Sequence, residues 1–557
     1  MIGISGRAAA ALLLTLAAAC STPPTGKGPL RVTLIAFNDF HGYLDTPAGT
    51  VALRDPATGA PAGDVPAGGA DYLATLVRKL AAANPNHAVV AAGDLIGASP
   101  LNSSLMRHEP TIEALGALGL EVSSVGNHEF DRGPAELRRM QDGGCHPQDD
   151  CSGRAPFAGA KFRYLAANVV DSANGRTLFP AYFIKRFEGV PVAFVGAVVR
   201  DTPALVGASI VEGLRFRDEA ESVNELVPEL KRQGVEALVL LIHEGGAART
   251  WYGDRACPDF GGDIVSIVKR LDPAVDVVVS GHTHRAYLCR VDGRLVTQAG
   301  SYGRFLTEIE LTIDRRSRDV VAATAQNHVV DATRLARDPE ETAILAPARA
   351  AAVRIAGRQV AALGVSLTPS ASRAGESALG DVIADALLAA VAPQEKGGAQ
   401  IAMMNPGGIR AALIPRDGIV TYGDLYNVLP FRNTIVVMEL NGGEIGLLLE
   451  QQWSATRSEA NIMQVSRGFS YAWDGSRPAG RRVVPGSIRL DGAPLRAGGR
   501  YRLAVNSYMA DGGDGLAILK TIGHRIRGPL TFDAVAHYLS TNPGLAAPAR
   551  DRISRVD

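Results

Sequence analysis

Between residues 30 and 312 the chain alternates short apolar runs with longer amphipathic stretches. LRVTLIAF (30–37), HAVVAAG (87–93), VSSVG (122–126), PVAFVGAVV (191–199), EALVLLI (236–242) and VDVVVSG (275–281) read as strands. YLATLVRKLAAA (72–83), TIEALGALG (111–119), ESVNELVPELKRQG (221–234) and DIVSIVKRL (263–271) read as helices placed among them. Strands that alternate with helices imply an α/β layer architecture. Strand runs without polar alternation imply burial on both faces, so the sheets lie inside.

The rest of the chain has another character. DPEETAILAPARAAAVRIAG opens with Asp338 as an N-cap, Pro339 in the first turn and two acids after it. Residues 332–358 are therefore predicted to form a helical connector, with Pro347 as the place for a kink or break. Residues 359–545 mix one clear helix, LGDVIADALLAAV (379–391), with short strands and the Gly-rich turns NPGGIR, ELNGGE and MADGGDG, as expected of a second, α+β domain. The Gly/Pro/Ala-rich segment 46–69 is predicted to be a long surface loop. With 46% hydrophobic residues the chain has ample material for buried cores. Its 57 Lys+Arg and 57 Asp+Glu cancel, which argues against charge-driven binding of a nucleic-acid polymer.

Residues 1–19 are predicted to be a signal peptide of the lipoprotein type, followed by a tether over 20–29. The apolar run at 8–19 is too short to span a bilayer and ends in small residues before Cys20. Cys20 is the expected lipidation site, and ordinary A-x-A cleavage at the same bond is the alternative. Both export the protein to the cell envelope, with membrane attachment only through a lipid at Cys20. Cys145, Cys151, Cys257 and Cys289 remain, an even count that suits two disulfides. Of three pairings the sequence-local one, Cys145–Cys151 with Cys257–Cys289, is expected. A zinc site in CHPQDDC (145–151) is the competing reading, without CxxC spacing to support it.

The apolar runs end in a consistent way. The first leads into Asn38-Asp39-Phe40-His41, the second into Gly93-Asp94, and the third into Gly126-Asn127-His128-Glu129. A later one ends at His243, and the last at Gly281-His282-Thr283-His284. Ligands of open α/β sheets collect beyond the carboxyl ends of strands. Five separate segments should therefore deliver imidazole nitrogens and carboxylate oxygens to one crest, a donor set for a metal pair without thiolate.

These segments, in this order, resemble the calcineurin-like metallophosphoesterases. FNDFHG, GNHEFDRG, SGHTHRAY and QAGSYGRFL resemble the 5′-nucleotidase / UDP-sugar hydrolase family, and RAGESALGDVIADAL, NPGGIRAAL, TYGDLYNVLPFRN and MADGGDG resemble its C-terminal domain. The resemblance implies an α/β/β/α metallophosphoesterase sandwich over 30–331, a linker helix over 332–358 and a nucleotide-binding domain over 359–545. It implies two divalent ions, zinc, manganese or similar. One is held by Asp39, His41, Asp94 and His284, the other by Asp94, Asn127, His243 and His282, with Asp94 shared. His128 matches the catalytic histidine and Asp131 the aspartate that orients it.

In the second domain the resemblance assigns Arg373, Asn405 and Arg410 to substrate contacts, with Gly407 and Gly408 in the same loop. It assigns Phe431 and Tyr508 to stacking on the base and Asp514 to the ribose hydroxyls. Pro406 stands where the family usually has Gly or Ala, and Tyr508 where it usually has Phe. Two divalent ions, two aspartates and a bridging hydroxide sum to about +1, which suits a phosphate. The implied reaction is attack of ion-activated hydroxide on phosphorus, releasing phosphate from nucleoside 5′-monophosphates, with other nucleotides and UDP-sugars in reach. The competing enzymes are a 2′,3′-cyclic-nucleotide phosphodiesterase/3′-nucleotidase and the related thiosulfohydrolase. A non-catalytic nucleotide-binding lipoprotein would lack a metal ligand or His128, and this chain has all of them. The connector is the expected hinge between the domains.

Overall fold

The computed structural model describes residues 28–55, 58–147, 151, 155–208, 210–431, 433–453 and 461–557. The expected signal peptide, Cys20 and most of the tether lie outside the described residues.

The first domain is built on two six-stranded sheets laid face to face. In the first, the strands run in the order Val320–Val329, Phe305–Ile313, Leu30–Phe37, His87–Ala92, Val122–Ser124 and Arg163–Leu165. The last four are mutually parallel. In the second, the order is Ala286–Val291, Arg294–Ala299, Val275–Ser280, Ala237–His243, Val190–Val198 and Tyr182–Phe187, with the middle four parallel. Alternate side chains explain the unbroken apolar runs. Leu34, Val90, Val239 and Val277 fill the space between the sheets. Ile35, Phe37 and Val89 point the other way, into a core shared with the helices Ala70–Ala83 and Glu109–Ala117. Leu238, Leu240 and Ile242 do the same toward Glu219–Asn224 and Asp263–Arg270. The result is the expected four-layer α/β/β/α sandwich.

Three local expectations are corrected. The stretch 221–234 is two helices, Glu219–Asn224 and Val227–Arg232, because Pro228 lacks an N–H and fits only the first turn of a new helix. The segment 46–69 contains a hairpin, Val51–Arg54 against Pro61–Val65. The linker helix Pro339–Ala356 runs through Pro347 without a break.

That helix is fastened to the first domain. Asp338 accepts a hydrogen bond from Glu341 N at 3.0 Å and an ion pair from Arg78 at 2.7 Å. Arg337 and Arg349 both reach the buried Asp71, at 3.0 and 3.1 Å. Leu345 and Ala348 join the first domain's outer core. Its far end meets the second domain, where the Arg358 guanidinium lies 4.9 Å over the Tyr422 ring.

The second domain carries a five-stranded sheet in the order Gln464–Val465, Ile401–Met404, Arg500–Asn506, Thr434–Asn441 and Arg525–Leu530. The helices Ala378–Val391 and Thr531–Thr541 cover one face, and Gly442–Glu450 with a small second sheet covers the other. The unit does not stop at 545. Ile553–Arg555 pairs in parallel with Phe469–Trp473, and Arg552 grips Asp385 bidentately at 2.8 and 3.0 Å.

Both sequence-local disulfides are formed, Cys145–Cys151 and Cys257–Cys289. The first consumes the thiols that the zinc reading of CHPQDDC required. Among the described residues, no helix is long and apolar enough to cross a membrane.

Candidate functional site

The carboxyl ends of five strands bring their polar residues to one crest. His243 Nε2 lies 3.0 Å from Asp94 Oδ2, His41 Nε2 lies 3.6 Å from the same oxygen, and His284 Nε2 lies 3.3 Å from Asp39 Oδ1. Asp39, His41 and His284 form one cluster of potential ligand atoms within 4.8 Å of one another, and Asp94, His243 and His282 form a second. Asp94 and His41 also cluster with His128, so Asp94 stands between the two groups. Asn127 lines the same cleft as His282, and its buried Oδ1 has no hydrogen-bond partner.

The backbone is bent to make this possible. Asp39, His41, Asp94, His282 and His284 all have left-handed φ, between 48° and 74°. Such conformations cost side-chain-bearing residues energy and gather at functional sites. Two glycines admit the loops to one another. A Cβ on Gly126 would collide with Asp94 Oδ1, and one on Gly281 would come 2.7 Å from Ala92 O and 2.9 Å from His243 Nδ1.

The ring nitrogens are oriented from behind. His41 Nδ1 donates to Gly97 O at 2.9 Å and His243 Nδ1 to Ala92 O at 2.8 Å. Each therefore turns Nε2 toward the centre, the atom by which an imidazole so oriented ligates a metal once that nitrogen is deprotonated. Burial, with further cationic neighbours, lowers His41 well below the usual range. Burial and His243 bring His282 down to about 3. Both are therefore neutral and able to ligate. At His243 burial opposes the charged form, but Asp94 and Asp39 outweigh it and push the pKa up to about 10. The carboxylates thus create a field that favours positive charge at the crest. Neutral imidazoles, two carboxylates, an orphaned amide oxygen and that field together fit divalent cations.

Beside the crest, His128 Nδ1 is 2.9 Å from Asp131 Oδ2, and its backbone N donates to Asp94 Oδ1 at 2.9 Å. Burial lowers the His128 pKa, Asp131 and Asp94 raise it, and the net shift is upward.

A cleft of about 450 Å³ opens between the domains against these residues. The second domain contributes Asn405, Gly407, Gly408, Arg410, Phe431, Tyr508 and Asp514 to it. Asn405 donates to Asp514 at 2.8 Å and is itself held by Asn506 at 2.8 Å. Tyr508 OH donates to Asp514 at 3.1 Å, and Gly513 leaves the room that the Tyr508 ring occupies. Arg410 Nε is buried without a partner. Phe431 stacks on His128, with centroids 6.0 Å apart. Arg373 is not brought into the cleft. It is exposed, and its guanidinium donates to Asp557 O at 2.7 Å, away from the residues that line the cleft.

Three residues beyond the motif assignments shape the centre. Glu129 is buried and accepts from the backbone N of Asp94 and of Leu95, both at 2.8 Å, and from Gly126 at 2.5 Å, tying two ligand loops together. Burial and the nearby Asp94 lift its pKa to about 7. Asn38 donates to Asp39 Oδ2 at 2.6 Å. Tyr302 sets its ring edge-on to His41 and His284, at 5.8 and 5.2 Å. All three stand inside the motifs GNHEFDRG, FNDFHG and QAGSYGRFL, and membership of those motifs is the signal that could have found them.

The calcineurin-like phosphoesterase family profile matches residues 32–286, and that of the 5′-nucleotidase C-terminal domain matches residues 356–521. The chain is 32% identical to endonuclease YhcR of Bacillus subtilis over 93% of its own length and 40% of that protein's. It is 30% identical to cell wall protein Lmo0130 of Listeria monocytogenes over 90% of its own length and 66% of that protein's. It thus spans less than two thirds of either relative. The crystal structure of a 5′-nucleotidase precursor from Thermus thermophilus superposes with a TM-score of 0.76 at 28% identity, covering 95% of this chain and all of that one. With both domain profiles matched in tandem along one chain, it belongs to the 5′-nucleotidase family of calcineurin-like metallophosphoesterases, a family of hydrolases.

Proposed function

We propose that this protein is an exported phosphohydrolase that binds two divalent ions and releases phosphate from nucleoside 5′-monophosphates. The observation that carries the reading is the juxtaposition of His128–Asp131 and the donor crest with Arg410, Phe431, Tyr508 and Asp514 in one cleft. Asp39, His41, Asp94 and His284 would hold one ion and Asp94, Asn127, His243 and His282 the other. Such a pair supplies Lewis acidity toward phosphate and an activated water.

The chain's own residues do the rest. Asp131 accepts from His128 Nδ1–H and favours the protonated ring, whose Nε2–H donates to a phosphoryl oxygen as charge develops there. Arg410 offers its guanidinium to the phosphate. Phe431 and Tyr508 present flat faces to a base, and Asp514 accepts from the ribose hydroxyls. Residues 1–19 serve as a signal peptide and Cys20 as its lipid attachment, in keeping with two disulfides in the exported chain.

The test is phosphate release by the full mature chain loaded with manganese or zinc, on AMP, 3′-AMP and 2′,3′-cyclic AMP. AMP is expected to be turned over best, and His128→Ala to abolish release. Preference for 3′-AMP or the cyclic ester would replace the reading with the phosphodiesterase one, and inertness toward all three would end it.

A further inference from the structure

The charged side chains that line the cleft between the domains do not all belong to the phosphate end. His128, Asp131 and His282 stand at the donor crest. Arg410 is close to them, since its charge opposes protonation of both His41 and His128. Asp514 is engaged by Asn405 and Tyr508. The remaining charge in the lining is Asp511, which none of these groups touches.

Asp511 is placed by its own turn of helix. Asn506 caps Ser507–Ala510 by accepting from Met509 N at 2.9 Å, and Asp511 N donates to Ser507 O at 3.1 Å. Residues three apart on such a turn share a face, so Asp511 stands beside Tyr508. Its carboxylate is held from behind. Arg525 donates to Asp511 Oδ1 at 2.8 Å, and the same guanidinium is fixed by Leu519 O at 3.1 Å and Ile522 O at 3.2 Å. Among the described residues Asp511 Oδ2 has no hydrogen bond.

The other groups near this end of the cleft are neutral. Ser507 donates to Asn433 at 3.2 Å, and the first domain contributes the apolar Leu205, Val206 and Ile210. That apolar wall reaches Tyr508, whose hydroxyl lies 3.4 Å from Ala204 O. A base between Phe431 and Tyr508 therefore has an apolar wall and one oriented carboxylate oxygen as neighbours. A carboxylate can only accept. It bonds to an exocyclic amino group and repels a carbonyl oxygen at the same position, so it selects by rejection as well as by attraction.

We propose that Asp511 reads the edge of the base and makes the enzyme prefer nucleotides whose base carries an exocyclic amino group, as adenine does, over those carrying an oxo group in its place, as hypoxanthine does. The inference rests on the reading of the cleft as a nucleotide site. The Asp511 side chain is 56% exposed, so its selectivity belongs at the low end for a hydrogen bond to a charged group, about tenfold.

The test compares the metal-loaded full chain with its Asp511→Asn variant on AMP, on IMP and on ribose 5-phosphate, which has no base. Asparagine keeps the shape and presents a donor as readily as an acceptor. The wild type is expected to favour AMP over IMP about tenfold in kcat/KM, and the variant to bring the two within about twofold. Measured against ribose 5-phosphate, the variant should lose on AMP and not on IMP. A general loosening of the pocket would lower AMP and IMP together. That result overturns the assignment, as does a wild type without AMP preference or a variant that retains it. Calorimetry with adenosine and inosine reads the same preference without turnover. An enzyme inert toward AMP whose preference for binding adenosine disappears in the variant overturns the monophosphatase reading and leaves Asp511 in its role. Inertness toward AMP with no binding of either nucleoside overturns both.

Discussion

The phenyl ring of Phe431, from the second domain, lies nearly parallel to the His128 imidazole of the first, with 21° between their planes and 6.0 Å between their centroids. A side chain suited to stack on a base thus stands directly over the group suited to meet the phosphate. Phe431→Ala should therefore act on binding more than on chemistry. Loss of one stacking partner is worth about 1–3 kcal/mol, or roughly a 5–150-fold rise in KM for AMP, with kcat changed far less. Phe431→Tyr keeps the flat face and should restore most of the affinity. Steady-state kinetics on the three proteins check this, and a loss confined to kcat would remove Phe431 from the substrate site.

Asp131 is 24% exposed and His128 15%, so the bond between them lies near the mouth of the cleft, where it orients the imidazole. Removing the carboxylate charge leaves the ring free to choose its tautomer and tilt. Asp131→Asn should lower kcat about 10–100-fold, the usual penalty for losing an orienting partner. His128→Ala should cost about 10²–10⁴-fold. Neither residue belongs to the expected ligand sets, so elemental analysis should find wild-type metal content in both variants. Depleted metal would mean that His128 itself holds an ion.

Glu129 joins the loop carrying Asp94 to the loop carrying Asn127 through backbone amides alone. In Glu129→Ala the buried amides of Asp94, Leu95 and Gly126 lose their acceptor, at about 1–3 kcal/mol each. The expected outcome is a fall in unfolding free energy of about 3 kcal/mol or more, together with a drop of about 10–100-fold in metal affinity. Calorimetry and metal titration read the two effects separately. A variant with unchanged melting temperature and full metal content would show that the loops are held by something else.

Much of this arrangement is legible in the chain. Apolar runs long enough for a strand and buried on both faces can only be inner strands, and the residues just after them must sit at their carboxyl ends. Asp39, Asp94, Asn127, His243, His282 and His284 are therefore found by position as much as by motif. The features that escape depend on distant partners. Arg373 satisfies a motif, but a bond to Asp557, 184 residues away, decides where its guanidinium goes. The end of the second domain escapes because Ile553–Arg555 is only three residues long, too short to show a period, and exists through its pairing with Phe469–Trp473. Glu129 carries no sign in its own type that it will accept backbone amides from a second loop. Its burial is a tertiary fact.

The linker helix offers a test of electrostatics away from the metal centre. Glu341 is completely buried, and neither carboxylate oxygen has a hydrogen-bond partner. Burial first, then Asp338, with smaller help from Glu340 and Asp71 and opposition from Arg78, raises its pKa to about 8. An unfolded glutamate titrates near about 4.3. The folded value is the higher one, so the native state binds this proton more tightly than the unfolded chain does. The stabilisation is complete below about pH 4.3 and is lost progressively as the pH rises to about 8, where the buried carboxylate ionises. Glu341→Gln has the same shape and no charge to bury. Its melting temperature should match the wild type near about pH 4, exceed it increasingly between about pH 4.3 and about pH 8, and exceed it by a constant margin above that. Thermal scans of both proteins across that range measure the difference directly. A difference that stays constant with pH would mean that Glu341 remains ionised when folded and is compensated by Arg78.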